Sequence, residues 1–258
     1  MTAAQPEAVP LFHAGEAPKM IECHLRKLRL RDEISAAEEA ALRGTIVDTV
    51  THPAGRTIVH FGEALNYSTL VLDGFVGRYK DLKNGQRQIT HVHVPGDFAD
   101  LHGFTLKRLD HALLALTPCT IARASHTRLH EITETQAHLT RVMWFSTNVD
   151  AAIHREWEVS LGRRSAIQRA AHLFCELHVR LGVVGHAEAE RYRFPISQAE
   201  LAECLGLTPV HVNRVLRELR ERGLVEFRNG LVAFQDLPGL KRLAEFDPGY
   251  LYLDPHPL

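Results

Sequence analysis

Residues 194–227 read FPISQAELAECLGLTPVHVNRVLRELRERGLVEF, and the order of residue types along them decides how the chain is read. Ser197 with Glu200 three residues later forms a capping box, so a helix opens at Gln198. Leu201, Ala202 and Leu205 give that helix an inward face at helical spacing. Gly206 supplies a turn and Leu207 plugs it. Thr208 then stands as an N-cap, with Pro209 at the first position of a second helix. This second helix runs to about Arg222, where Gly223 stops it. Val212, Val215, Leu216 and Leu219 lie on one stripe, and His211, Asn213, Arg214, Arg217 and Arg220 on the other face. Two short helices around a glycine turn, the second bearing exposed Arg and Asn, make a helix-turn-helix. A single helix fills the major groove, where Arg pairs with guanine and Asn with adenine. Leu224–Phe227 and Leu231–Phe234 flank Asn229-Gly230, a two-residue hairpin signal that reads as a wing. Arg228 in that hairpin is placed for a phosphate. An ordinary helical hairpin with a solvated basic face is the plain alternative, but caps, turn and wing together favour DNA.

The 258 residues allow one large or two modest domains, and the composition is that of a globular protein, 45% hydrophobic and 24% charged. A net charge of −1 excludes a global field that attracts nucleic acid, so DNA contact must come from a local patch. Arg193, Arg214, Arg217, Arg220, Arg222 and Arg228 against Glu218, Glu221 and Glu226 supply a modest one. Cys23, Cys119, Cys175 and Cys204 share no close spacing, which argues against a structural zinc site or a disulfide framework. With no signal-like start and no run long enough to span a bilayer, a cytoplasmic protein without membrane partners is expected.

Residues 1–19 are expected to be a loose tail. Ile21 to Leu30 suits a short helix, and Ser35 with Glu38 opens another from Ala36. From Thr45 to about His130 the texture changes to short strands: Thr45–Val50, Thr57–Phe61, Ser68–Asp73, Phe75–Asp81, Gln86–Val94, His111–Leu116 and Thr120–Ser125. Turn signals at Pro53-Ala54-Gly55, Gly62, Asp73-Gly74, Asn84-Gly85 and Pro95-Gly96-Asp97 separate them, as in a barrel or jelly roll. Helix resumes at about Thr133, and Leu139, Val142, Met143, Val149, Ile153 and Trp157 form a stripe to about Leu161. A helix of that length without an obvious break suits a two-stranded dimer seam, a core helix on the β-domain being the alternative. Gly162 is expected to interrupt it, with a hinge at 160–164. The fold class is α+β: a jelly-roll-like antiparallel β-roll with N-terminal helices (20–132), a long dimerisation helix (133–161), a winged helix-turn-helix (162–240) and a C-terminal tail (241–258).

This order resembles the Crp–Fnr family of bacterial transcription regulators. THPAGRTIVHFGE, ending the stretch from Val47, resembles that family's "G-x-x-L-F-x-x-G-E". Leu72-Asp73-Gly74-Phe75-Val76 resembles its "V-x-x-G-x-V" hairpin, and Pro95-Gly96-Asp97-Phe98 its "x-G-D-F" turn. Leu205-Gly206-Leu207-Thr208 through Arg214, and Gly223-Leu224-Val225, match its DNA-binding helices and wing. The match covers about residues 45–235. The resemblance implies a homodimer on a near-palindromic double-stranded site, with RNA polymerase as a further partner if the protein activates. It places Ser197, Thr208, His211, Asn213, Arg214, Arg217 and Arg228 at the DNA. Many members have Glu, an acceptor for cytosine, where this chain has Val210, which offers only apolar contact.

The resemblance also bears on the signal. Cyclic-nucleotide binders of the family carry Gly-Glu after the G-D-F turn and an Arg before a small hydroxyl residue. Here Asp100-Leu101 and Leu109-Asp110 stand there, with Arg108 one residue off, so a cyclic phosphate would meet Asp110 rather than an arginine. Cyclic AMP is therefore not expected, nor is an iron–sulfur cluster, since only Cys23 lies near the N-terminus. Asp100, His102, Lys107, Asp110 and His111 are the pocket candidates, and no cofactor is named by the residues. His91 and His93 share one face of a strand. With Gly85 and Asp97 they approach the first metal motif of the cupins, which leaves a metal-binding sensor or oxygenase site as the rival reading. Its plain alternative has Val92 and Val94 in the core and both histidines facing water. No other catalytic constellation is present.

Overall fold

The computed structural model describes residues 21–256 and 258, so the tail expected over residues 1–19 lies outside it. Two helices, α1 (Glu22–Arg31) and α2 (Ala36–Thr45), lead into the strands β1 (Ile46–His52), β2 (Thr57–Val59), β3 (Tyr67–Asp73), β4 (Val76–Asp81) and β5 (Arg87–His93). A short helix α3 (Gly103–Leu106) precedes β6 (Ala112–Ala115) and β7 (Cys119–Ser125). The strands form two antiparallel sheets, ordered β1-β7-β3 and β2-β6-β4-β5. Val59, Leu65, Val71, Val76, Leu109, Leu113 and Ile121 fill the roll between them. Each such fully buried aliphatic side chain stabilises the fold by about 1.5–3 kcal/mol relative to exposure.

Helix α4 (His126–Thr135) ends at Gln136, whose non-helical backbone (φ −129°, ψ 83°) separates it from α5 (Ala137–Arg163). The long helix therefore starts four residues later than the periodicity suggests, after a break the sequence does not advertise. It also runs through Gly162, which is no interruption. The turn comes at Arg164, and Ser165 then starts α6 (Ala166–Val183), its N–H donating to Gln168 Oε1 at 3.0 Å.

The apolar stripe of α5 is not an exposed seam. Leu139, Val142 and Met143 are buried with Leu25, Leu28, Leu129 and Ile132, while Ile153 and Trp157 enter the cluster that holds α6. The opposite face carries the exposed side chains, Trp144 at 68% and Val159 at 49%. A partner helix would have to use that face.

Next come β8 (Arg191–Arg193), α7 (Gln198–Leu205), α8 (Pro209–Glu221), β9 (Val225–Arg228) and β10 (Leu231–Phe234). β8 adds a third strand to the wing sheet, ordered β8-β10-β9. At the β9–β10 hairpin, Asn229 and Gly230 both have positive φ (52° and 69°), as a tight type I′ turn requires. A Cβ on Gly230 would lie 2.6 Å from Pro195 Cα, so no larger residue fits there. α9 (Leu237–Ala244) and a 3₁₀ turn at Pro248–Leu251 close the chain. One cluster unites β4, β5 and β6 with α5, α6 and the helix-turn-helix, including Phe75 edge-on to Phe194 with centroids 5.1 Å apart. Gln88 Nε2 also donates to Glu203 O at 2.7 Å, so α7 is docked on β5.

Candidate DNA interface and interior cavity

The helix-turn-helix forms as its residue types dictate. Ser197 Oγ accepts from Glu200 N–H (3.1 Å) while Glu200 Oε2 accepts from Ser197 N–H (2.7 Å). Gly206 ends α7 at φ +62°, and Thr208 Oγ1 accepts from His211 N–H at 3.3 Å. Val212, Val215 and Leu219 are buried, which turns His211, Asn213, Arg214, Arg217 and Arg220 outward. Glu218 is occupied by Arg222. Arg214, Arg217, Arg220 and Arg228 make no ion pair or side-chain hydrogen bond among the described residues, so their donors stay available to a ligand. Asn213, Arg217, Arg220 and Arg228 share a shallow groove between α8 and the wing. Val210 stands 64% exposed at the start of α8. Ser197 and Thr208 accept with one lone pair at their caps, and each hydroxyl keeps its own O–H for an acceptor.

The pocket candidates of the β-domain do not converge. Asp100 is fully buried, accepting from Thr69 N–H (2.5 Å) and Thr69 Oγ1 (2.9 Å), and burial pushes its carboxyl up to about 6. Lys107 is exposed at the end of α3, its ammonium over the Phe104 ring. Asp110 is also exposed, held below the usual carboxylate range by hydrogen bonds from Lys80 and His111. His111 packs against His102, ring centroids 5.2 Å apart, and burial lowers both to about 4. Of the five, only His102 lines the cavity between the roll, α1 and α5.

That cavity, of about 110 Å³, lies between β5, α1, α5 and the C-terminal segment. His91, His93, Asp97, Asp150, Arg180 and Tyr252 are among the residues lining it. The expectation that His91 and His93 face water is wrong: each is 1% exposed. In the β4–β5 ladder Arg78 pairs with His91 and Tyr79 with Ile89, so Thr90 is an extra residue and bulges. Past the bulge, Val92 and Val94 join Ile89 in the apolar cluster, and the two histidines turn to α5. There His91 lies near the rings of His154 (5.7 Å) and Trp157 (6.0 Å).

The acid beside the histidines is Asp150 of α5, not Asp97 as the cupin-like spacing suggests. Asp97 accepts from Lys27, from Arg180 Nη2 (2.7 Å) and from Val94 N–H (2.8 Å). Burial alone would raise its pKa, but the two cations hold the carboxyl well below the usual range. Asp150 accepts from both Arg78 nitrogens, at 3.0 and 3.2 Å. Arg78 is itself 4% exposed and donates to Ala99 O as well.

Behind the cavity a buried charge network joins the halves of the chain. Arg180 of α6 reaches Asp97 and, through Nη1, Glu176 Oε1 at 2.8 Å. Glu176, 0% exposed, also accepts from Trp157 Nε1 (3.1 and 3.2 Å) and from Tyr250 O–H (2.8 Å). Arg78, Asp150, Glu176 and Arg180 were missed from the sequence. Their signal was a charged residue inside an apolar strand or on the inward stripe of a helix.

Comparison with known proteins follows the same division of the chain. Residues 168–243 match the Crp-like helix-turn-helix domain, and residues 49–136 match the cyclic nucleotide-binding domain. The chain is 27% identical over 228 residues to the nitrogen fixation regulation protein FixK of Bradyrhizobium diazoefficiens, covering 86% of this chain and 92% of that one. To the transcriptional activator protein FnrA of Stutzerimonas stutzeri it is 24% identical over 223 residues, covering 86% and 91%. Among solved structures, FixK2 from Bradyrhizobium japonicum superposes with a TM-score of 0.66 at 24% identity, over 76% of this chain and 96% of that one. No helix among the described residues is long and apolar enough to cross a membrane.

Proposed function

The chain belongs to the Crp/Fnr family of DNA-binding transcription regulators, and from that premise we propose that it acts as a homodimer on a near-palindromic duplex, answering to a signal other than cyclic AMP. Each α8 enters one major groove. Arg214 reads a guanine, Asn213 or His211 a neighbouring base or phosphate, and Arg217 and Arg228 hold phosphates, with Ser197 and Thr208 adding hydroxyl donors. The observation that carries this reading is the outward face of α8 and the wing, where four arginines make no ion pair or side-chain hydrogen bond among the described residues. Family members are regulators and not enzymes, so the oxygenase reading of the β-roll falls away.

Dimerisation through the outward face of α5, with Trp144 and Val159 as its apolar anchors, accounts for two large side chains left in solvent on the long helix. A signal other than cyclic AMP is supported by what stands where the resemblance puts the phosphate. Leu109 is buried in the aliphatic interior of the roll, and Asp110 would repel a phosphate.

Selection of random duplex DNA by the purified, extensively dialysed protein at fixed salt tests the proposal. Enrichment of a two-fold symmetric site is expected. An enriched site without two-fold symmetry would overturn it, whereas salt-sensitive binding with no enriched sequence would mean that the signal must be present or that the β-domain is the working end.

A further inference from the structure

His91, His93 and Asp150 pose a problem that DNA binding does not touch. Both histidines are almost wholly buried, yet neither nitrogen of His91 and not Nε2 of His93 has a hydrogen-bond partner. Buried polar atoms are nearly always paired, so three orphans on adjacent rings need an explanation. Nδ1 of His91 lies 3.0 Å from Asp150 Oδ1, but off the line along which an N–H would donate. The rings themselves stand 4.1 Å apart. One donor atom from each of the three residues lies within 4.8 Å of the others.

We propose that His91, His93 and Asp150 form a binding site for a divalent first-row transition ion of the zinc or iron(II) kind. Two imidazoles and one carboxylate are a donor set for such ions, with bonds of about 2.0–2.2 Å that bring donors to about 3.3 Å from one another. The 3.0 Å between His91 and Asp150 is of that order. Arg78 supplies the outer support: its guanidinium takes one lone pair on each Asp150 oxygen and fixes the carboxylate plane, as partners behind metal ligands do. Its positive charge and that of Arg180 oppose a dication, and Asp97, already paired with Lys27 and Arg180, offsets only part of that. The cavity beside the three donors leaves a coordination position open to water or a small ligand. The ion would tie β5 of the roll to α5. The assignment rests on this geometry alone and stands whether or not the DNA reading does.

The test uses the full chain, freed of metal by chelator and dialysis, with Co²⁺ and then Zn²⁺ as probes and no DNA present. One Co²⁺ per chain is expected, with intense visible ligand-field bands of a low-coordinate site that Zn²⁺ abolishes. Loss of an outer partner commonly weakens metal sites about 10–100-fold, so loss of a ligand in His91→Gln or His93→Gln should weaken binding at least about 100-fold. Both exchanges replace one neutral side chain by another and strand no charge, and circular dichroism checks that each variant folds. His130→Gln, at an exposed histidine, should change nothing. Cobalt that binds with unchanged affinity and spectrum in folded His91→Gln and His93→Gln would overturn the site, as would the absence of any low-coordinate spectrum in the parent.

Discussion

Replacing Arg180 by Met should destabilise the chain by about 3 kcal/mol, because it cuts the buried link between the roll and the DNA-binding half. The side chain is 5% exposed and bridges two carboxylates, Asp97 at 2.7 Å and Glu176 at 2.8 Å. Breaking a buried ion pair by removing one partner costs about 3–5 kcal/mol, mostly because the other charge is left uncompensated. The lower end applies here. Asp97 keeps Lys27 and Val94 N–H, while Glu176 keeps Trp157 and Tyr250. For a chain of this size, about 2–4 °C per kcal/mol converts the loss to a fall in Tm of about 6–12 °C. Urea unfolding followed by tryptophan fluorescence is the assay, since Trp157 donates to Glu176 and reports the network directly. Adding Glu176→Gln removes the stranded charge while keeping an acceptor, so the double variant should recover at least about 1 kcal/mol of the single variant's loss. An Arg180→Met protein within about 0.5 kcal/mol of the parent, or a double variant whose losses simply add, would refute the reasoning.

Arg214→Ala should cost about 1–3 kcal/mol on the selected site and relax preference at one position, whereas Arg217→Ala should weaken specific and random DNA alike and lower the salt slope by about 1; equal effects of both on both DNAs, measured by fluorescence anisotropy, would remove the assignment. Val210→Glu gives the groove a carboxylate, which accepts from cytosine N4, so the preferred base beside it should shift toward cytosine in a repeat of the duplex selection. If the outward face of α5 is the dimer seam, the exposed two-thirds of Trp144 buries about 150 Å² per protomer, and Trp144→Ala should raise the dimer Kd at least about 30-fold in sedimentation equilibrium. His138 is raised above its ordinary pKa by hydrogen bonds to Asp32 (3.1 Å) and Glu38 (2.5 Å). Its contribution to stability is therefore full below about pH 6.5 and lost as pH rises through the higher folded value. The gap in urea midpoint between the parent and His138→Gln should narrow with rising pH across that window, and a constant gap would count against it.

What could be read in advance divides by the range of the forces involved. The helix-turn-helix was legible because caps, a turn glycine and an N1 proline act within a few residues, and Ser197, Gly206, Thr208 and Asn229-Gly230 all behave as their types require. The roll was legible from turn residues between short strands. The face of β5 was not, since the bulge at Thr90 is set by pairing with Arg78 and Tyr79 on another strand. Nor was the inward role of the α5 stripe, because helical periodicity tells that a face is buried but not against what. Asp150 came to the histidines across 57 positions or more of chain, and neither local propensity nor spacing carries that distance. The short α3 and the three-residue β8 fell below the length at which periodicity says anything.

Glu176 also sets an order of events during synthesis. Its carboxylate is completed by Tyr250, 74 residues further on, and the cavity wall by Leu251, Tyr252 and Leu253. Domains generally fold as they leave the ribosome, N-terminal parts first. The β-roll therefore emerges with its cavity lacking that wall, and Glu176 of α6 lacks one of its donors until Tyr250 is made. A ligand of the cavity would have that interval to enter from the open side, before residues 251–253 fold over it.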